Sequence, residues 1–192
     1  ASTAMSNVTF RQLLTHTSGI RQSNTSWDSL KATVAGPLEG TQTYSYANVN
    51  FALFRAMLPK IYDQTTFDNN ESNSPFFETW MANEYIDIMQ ELVFDPAGIA
   101  NAICNTTPGA VTMQAFNEIG NPIIAQNAGD WTELCGGGGF YLTTMEMARI
   151  MAFLAHSTEI LTAAQQDLMD DNLLGWDPSD SFNTTHGQAF GK

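Results

Sequence analysis

Helix-start signals constrain the fold of this chain more than any other feature of its sequence. A threonine followed three residues later by glutamine or glutamate can form a capping box, in which each side chain accepts the other residue's backbone N–H. Three such pairs precede apolar residues at helical spacing: Thr9 with Gln12, Thr143 with Glu146, and Thr162 with Gln165. The sequence therefore predicts a largely helical chain, with helices beginning near residues 10, 144 and 163.

Apolar periodicity predicts two further helices. The first covers residues 48–58, where apolar side chains recur at helical spacing, and Pro59 is expected to end it because proline lacks a backbone N–H. The second and longest begins at Ser74-Pro75 and carries a broad apolar stripe from Phe77 to Leu92. Pro96 is expected to stop this second helix.

The remaining segments show little helical periodicity. Glycine and proline interrupt residues 20–43, and small polar residues dominate residues 63–75, so both are predicted to be irregular. Residues 100–135 are predicted to form loops with short strands. Short strands are also predicted at Phe140–Leu142 and at Leu173–Trp176.

The chain carries little charge, and that charge is strongly acidic. Seven lysine and arginine residues stand against twenty aspartate and glutamate residues, which gives a net charge of −13 at pH 7. Such a surface repels phosphate backbones and anionic lipid, so nucleic acid and membrane surfaces are excluded as expected partners. The sequence also contains no apolar run of about 18 residues that could span a membrane.

Cysteines and glycosylation sequons bear on the cellular compartment. Cys104 and Cys135 belong to no CxxC motif, and two buried thiols are the simpler interpretation, with a disulfide as the alternative. The N-x-S/T sequons begin at Asn7, Asn24, Asn70, Asn105 and Asn183. Together with the low charge and the abundance of Thr and Asn, they favour an extracellular or periplasmic protein, although such a composition produces some sequons by chance.

The sequence lacks the residues that a phosphate-binding loop and a histidine metal site would need. The run Gly136–Gly139 has no Lys-Ser or Lys-Thr after it and leads towards a predicted strand, so it is not a phosphate-binding loop. His16, His156 and His186 lie far apart and have no metal-ligand partner four residues on. We therefore expect neither a metal ion nor an organic cofactor.

Five segments, in order along the chain, resemble the signature of serine hydrolases of the class C β-lactamase type. That superfamily also includes D-alanyl-D-alanine carboxypeptidases, D-aminopeptidases and esterases. The matching segments are FRQLLTHTSGI at 10–20, YSYANVNFAL at 44–53, FDPAGI at 94–99, GGGFYLTTMEMAR at 137–149 and LGW at 174–176. Each segment is a weak signal alone, and their shared order makes the resemblance strong.

The resemblance implies a fold and a mechanism. The family fold is mixed α/β, of the β-lactamase/transpeptidase type, and residues 1–192 would form mainly its helical portion with few short strands and no second domain. The family's reaction passes through an acyl-serine intermediate formed by the serine of an S-x-x-K motif. By position, Tyr46 would move the proton and Asn48 would orient the lysine and a substrate amide. His16 is expected to support the fold rather than the chemistry.

The scarcity of lysine shows that the nucleophile motif is missing from this chain. A serine three residues before Lys31, Lys60 or Lys192 would stand at positions that hold aspartate, methionine and alanine. No S-x-x-K therefore occurs in the sequence. We expect the serine and its lysine to lie upstream of Ala1, or to come from a second chain.

The family's third motif, K-T-G or H-x-G, has two candidate positions. The favoured one is Lys192, which would begin a K-x-G, and the rival is His186, which is followed by Gly187-Gln188. We expect an interior part of a serine hydrolase that acts on a β-lactam, a D-amino-acid peptide or a small ester and is inactive alone. The alternative is a non-catalytic binding or scaffold protein that keeps the fold and has lost the nucleophile.

Overall fold

A computed structural model of the chain describes residues 5–106, 115–116, 122–123 and 129–176, and helices dominate these ranges. The α-helices are α1 (Phe10–Leu14), α2 (Trp27–Ala35), α3 (Val49–Ala52), α4 (Phe54–Tyr62), α5 (Gln64–Asn73), α6 (Phe77–Met89), α7 (Thr144–His156) and α8 (Ala163–Asp171). Single turns of other helix types occur at Met5–Asn7, Gln90–Phe94 and Thr132–Leu134. The strands β1 (Ala115–Phe116) and β2 (Pro122–Ile123) pair antiparallel. The predicted fold class, a mainly helical portion with few short strands, is confirmed.

All three predicted capping boxes are present. Thr9 caps α1, Thr143 caps α7 and Thr162 caps α8, and in each case the threonine oxygen accepts a backbone N–H three residues on. The reciprocal bonds from the threonine backbone N–H to the side chain are 2.7–3.0 Å long. The helices therefore begin where the sequence predicted, because capping is decided by residues that are close in sequence.

The predicted helix at 48–58 is interrupted, and Pro59 does not end it. The structure divides this region into α3 and α4 at Leu53, and α4 continues through Pro59 to Tyr62. A proline in a helix interior loses one hydrogen bond and crowds the preceding turn, a cost of roughly 3 kcal/mol in an isolated helix. Pro59 is fully buried here, and packing against its ring offsets that cost.

Two segments predicted to be irregular contain helices. Within 20–43, α2 buries Leu30, and within 63–75, α5 buries Phe67 at 2% exposure. Helix α5 begins at Asp63, whose carboxylate accepts the backbone N–H of Thr66 at 3.0 Å. Only one apolar residue of α5 is buried, so the sequence showed no apolar stripe. The helix is held by the ring of Phe67, which packs edge-on against Phe77.

Helix α6 is the longest continuous helical unit, as predicted, and it organises the core. It buries Phe77, Met81, Tyr85 and Ile88 on one face and continues as a π-helical turn over Gln90–Phe94. The face packs against α4 and against the turn Thr132–Leu134. This broad stripe was visible in the sequence because helical spacing places residues i, i+4 and i+7 on one side.

The predicted strand at Leu173–Trp176 is wrong. The segment is a turn in which Leu173 and Gly175 have φ values of 53° and 80°, outside the range of a strand. The backbone N–H of Gly175 donates to the carbonyl of Leu14 at 3.0 Å, so the turn joins the end of α8 to α1. The strand predicted at Phe140–Leu142 is reduced to one bridge between Tyr141 and Ile103.

The two cysteines form a disulfide, so the simpler interpretation of two buried thiols is wrong. Cys104 and Cys135 are fully buried, their Cα atoms are 5.9 Å apart, and the bond closes a separation of 31 residues. Tyr85 of α6 packs in the same cluster. Among the described helices, none is long and apolar enough to cross a membrane.

Candidate functional site

Tyr46 and Asn48 lie on a short segment that enters α3. Their side chains are exposed, whereas Ala47 and Val49 beside them are buried. Alternation of this kind fixes the backbone and leaves both polar side chains at the surface. Neither the Tyr46 hydroxyl nor the Asn48 amide is bonded within the described residues, and Asn48 does not use its side chain to cap α3.

The imidazole of His16 lies directly beneath this segment. His16 is 2% exposed, and its ring centroid is 4.5 Å from that of Tyr46, with the planes 37° apart. Its Nδ1 accepts the backbone N–H of Ala47 at 3.2 Å, and its carbonyl accepts that of Ser45 at 2.9 Å. His16 thus holds both residues that flank Tyr46.

A buried amide and a buried hydroxyl complete what we call the His16 cluster: His16, Ser18 and Asn50. Ser18 Oγ donates to Asn50 Oδ1 at 2.6 Å, and Asn50 Nδ2 lies 3.1 Å from His16 Nδ1. Because Oδ1 is the acceptor, the amide turns its N–H group to the imidazole. Nδ1 therefore accepts from two donors, Asn50 and Ala47, which assigns the neutral tautomer with its proton on Nε2.

The end of the segment and the start of α3 lie close to the glycine run. A Cβ added to Gly137 would lie 2.8 Å from the Ala52 Cβ and 3.4 Å from the Asn48 carbonyl oxygen. Gly136, with φ +91°, faces the Phe51 carbonyl in the same way. The run was rejected as a phosphate loop, and its place in the structure is a close backbone contact beneath the start of α3.

Arg55 holds this glycine run in place. It is fully buried, and its guanidinium donates to the carbonyls of Cys135 at 3.2 Å and Thr25 at 2.6 Å. We call Thr25, Arg55 and Cys135 the Arg55 cluster. Desolvation lowers the pKa of Arg55, and the negative charges of Glu78 and Glu133 oppose that shift.

The structure brings together only part of the predicted site. Tyr46 and Asn48 are neighbours at one surface, while Lys192 and His186 lie outside the described residues. Sequence reasoning missed Asn50 and Arg55. Both are polar residues on helices with otherwise apolar buried faces, which is the one signal that could have identified them.

An apolar cavity in the described part of the chain does not coincide with these residues. It has a volume of about 460 Å³ and is lined by α1, α2, α4 and α5, among others by Leu13, Leu30 and Met57. Tyr46 and Asn48 are not part of its lining, so the cavity offers no direct route to them. Among the described residues, no group of three or more His, Cys, Asp or Glu side chains is arranged to hold a metal ion.

Comparison with known proteins gives one match, to a family model. The model of the family described as Beta-lactamase matches residues 1–191, nearly the whole sequence. No curated protein and no solved structure matches the chain significantly. The family match confirms the resemblance drawn from the five segments: the chain belongs to the β-lactamase family.

Proposed function

We propose that this chain is part of a serine hydrolase that acts through an acyl-serine intermediate on a β-lactam, a D-amino-acid peptide or a small ester. Family membership supports a serine hydrolase in general terms. One observation carries the finer assignment: the Tyr46 hydroxyl and the Asn48 amide are exposed side by side on a backbone anchored by buried neighbours. A proton-transfer group must combine accessibility with a fixed position in this way.

In the proposed reaction, a serine hydroxyl attacks the carbonyl carbon of the substrate, and its single proton passes through the Tyr46 hydroxyl to the lysine amine. The bond to the leaving group breaks, and the phenol of Tyr46 returns the proton to the departing nitrogen or oxygen. Water then hydrolyses the acyl-serine ester. Asn48 would orient the lysine and the substrate amide through its side-chain amide.

The nucleophile is the part that this sequence does not contain. No serine precedes a lysine by three residues, so Ser and Lys are proposed to come from a flanking segment or from a second chain. Lys192, or alternatively His186, is proposed for the third motif. The buried disulfide and the sequons favour an extracellular or periplasmic enzyme.

The missing nucleophile is also the observation that favours a second candidate, a non-catalytic binding protein of the same fold. A fluorophosphonate probe distinguishes the two, because it labels an activated serine covalently and adds a defined mass. If the full gene product supplies an S-x-x-K serine, it should be labelled at that serine, whereas the 192-residue chain alone should not. A full gene product that contains no S-x-x-K and remains unlabelled would favour the binding protein.

Turnover of a p-nitrophenyl ester or a chromogenic β-lactam by the full gene product tests the role of Tyr46. Tyr46→Phe removes only the hydroxyl and should lower kcat by about 10² to 10⁴. Tyr62→Phe makes the same change at another exposed tyrosine and should leave kcat within about twofold. Equal rates in Tyr46→Phe and the wild type would refute the assignment.

A further inference from the structure

The His16 cluster is a buried polar group in direct contact with Tyr46. The proposed reaction uses Tyr46 and Asn48 and assigns no role to Ser18, His16 or Asn50. All three are buried, and each is bonded to another member of the cluster. Buried polar side chains are retained where they are fully hydrogen-bonded, and such networks fix a single arrangement.

We propose that His16 is a positioning residue for Tyr46, and that it acts through two separate contacts. Its Nδ1 fixes the backbone by accepting the N–H of Ala47, and its ring supports the phenol of Tyr46 at a centroid distance of 4.5 Å. The proposal rests on the proposed function for its effect on turnover. The orientation of Tyr46 can be measured without any activity.

The direction of each hydrogen bond gives the cluster its order. The Ser18 hydroxyl donates to Asn50 Oδ1, the Asn50 amide turns its N–H to Nδ1, and Nδ1 also receives the Ala47 N–H. Ser18 itself is held because its Oγ accepts the N–H of Ile20 at 3.1 Å. A flip of the Asn50 amide would turn its N–H group towards the Ser18 hydroxyl and its oxygen towards the Nδ1 lone pair. A proton on Nδ1 would point at the N–H groups of Asn50 and Ala47. The cluster therefore permits one arrangement of donors and acceptors.

The exposure of Tyr46 explains why such support is needed. Its side chain is 58% exposed and has no hydrogen bond within the described residues, so rotamer freedom would spread the hydroxyl over several positions. The phenol packs against one buried ring, and that ring is held from behind by the cluster. A second ring, that of Phe51, lies 5.0 Å from His16 and closes another side of the imidazole.

Two substitutions separate the acceptor from the ring. His16→Asn places Oδ1 where Nδ1 stands, which keeps an acceptor for Ala47 and Asn50 and removes the ring beneath Tyr46. His16→Phe keeps a ring, removes the acceptor and adds backbone strain, because position 16 has φ 52°, which asparagine adopts more readily than phenylalanine. We expect His16→Asn to fold and to lower kcat at least tenfold with little change in KM, and His16→Phe to lower the unfolding midpoint more than His16→Asn does.

A double-mutant test separates positioning from a general structural role. If His16 acts only through Tyr46, adding His16→Asn to Tyr46→Phe should lower kcat by less than twofold, although it lowers kcat at least tenfold in the wild type. A tenfold loss in both backgrounds would mean that the substitution damages the enzyme generally. That result would overturn the proposal.

Fluorine NMR tests the same proposal independently of turnover. In the full gene product labelled with 3-fluorotyrosine, the signal lost in Tyr46→Phe identifies Tyr46. His16→Asn should shift and broaden that signal and leave the Tyr62 signal in place. Ser18→Ala, which does not touch Tyr46, should produce a smaller shift and serves if His16→Asn fails to fold.

The outcomes separate the two hypotheses. If Tyr46→Phe leaves kcat unchanged while His16→Asn moves the Tyr46 signal, the proposed function fails and the positioning role stands. If Tyr46→Phe lowers kcat and His16→Asn changes neither kcat nor the Tyr46 signal, the positioning role is overturned. An unchanged Tyr46 signal in both His16→Asn and Ser18→Ala overturns it as well.

Discussion

Two buried polar clusters lie near the start of α3 and are stabilised by different interactions: the His16 cluster bonds to the segment 44–48, and the Arg55 cluster bonds to the loop that precedes the glycine run. The His16 cluster is a chain of neutral groups in which each donor meets an acceptor. The Arg55 cluster is built around one buried cation whose Nε has no partner within the described residues. The neutral cluster fixes the direction of a side chain, and the charged cluster fixes the position of a loop.

The difference in charge has energetic consequences. Burying neutral groups costs little once they are hydrogen-bonded, whereas a buried guanidinium keeps a desolvation penalty that two carbonyls offset only in part. The loop that bonds to Arg55 is also constrained by the disulfide between Cys135 and Cys104. No disulfide links the residues of the His16 cluster, so its order depends on hydrogen bonds and on the packing of the imidazole against Phe51.

The largest effect is expected from Arg55→Ala. It leaves the carbonyls of Cys135 and Thr25 without their donor and opens a cavity, so the free energy of unfolding should fall by about 4 kcal/mol. Arg55→Met refills the volume and should lose about half as much. Urea denaturation of the two variants measures both values. Equal stability of Arg55→Ala and the wild type would show that the Arg55 guanidinium does not stabilise the fold.

Removal of the disulfide should have the next largest effect. For a separation of 31 residues, Cys104→Ala with Cys135→Ala should lower the free energy of unfolding by about 3.7 kcal/mol. Reductant should destabilise the wild type by a similar amount and leave the double variant unchanged. If reductant destabilises both proteins equally, the effect does not come from this bond.

A smaller loss is expected in the neutral cluster. Ser18→Ala removes the donor to Asn50 and the acceptor of the Ile20 N–H, and should lower the free energy of unfolding by about 2 kcal/mol. Ser29→Ala, whose hydroxyl pairs with Ser26 in a more open setting, should lose less than about 0.5 kcal/mol. Similar losses in the two variants would contradict the buried network.

The smallest effect is a loss of stability at alkaline pH that comes from Tyr85, which lies near Arg55. Burial raises the pKa of Tyr85 from 10.0 to about 12, against the opposing charge of Arg55. Stability is therefore complete below pH 10 and falls between pH 10 and 12, because the unfolded phenol ionises first. The loss should reach about 1 kcal/mol at pH 11, measured by urea denaturation. Tyr85→Phe should abolish this component, and an unchanged pH dependence in that variant would contradict it.

The parts of the fold that the sequence predicted are those with local causes. Capping boxes and the stripe of α6 depend on residues a few positions apart, and both were found where expected. Helix α5 was missed because it depends on Phe67 packing against Phe77, a contact that no local pattern reveals. Pro59 shows the same limit, since burial overrides the helix-ending tendency of proline.

The candidate site also contains residues that a local motif predicts and residues that only the fold brings together. Tyr46 and Asn48 could be named from a motif within three residues. The partners that hold them are distant, because Ser18 meets Asn50 across 32 positions and Arg55 meets Cys135 across 80. Spacing along the chain carries no information about such pairs, so the supporting clusters emerged only with the fold.

A neutral His16 holds the segment carrying Tyr46 by accepting the Ala47 N–H at Nδ1. Nitrogen-15 NMR of histidine-labelled protein at neutral pH measures this directly, with His16→Asn used to assign the ring. We predict that Nδ1 is unprotonated and Nε2 carries the ring proton, and that a hydrogen-bond coupling joins the Ala47 N–H to Nδ1. A proton on Nδ1 would contradict it.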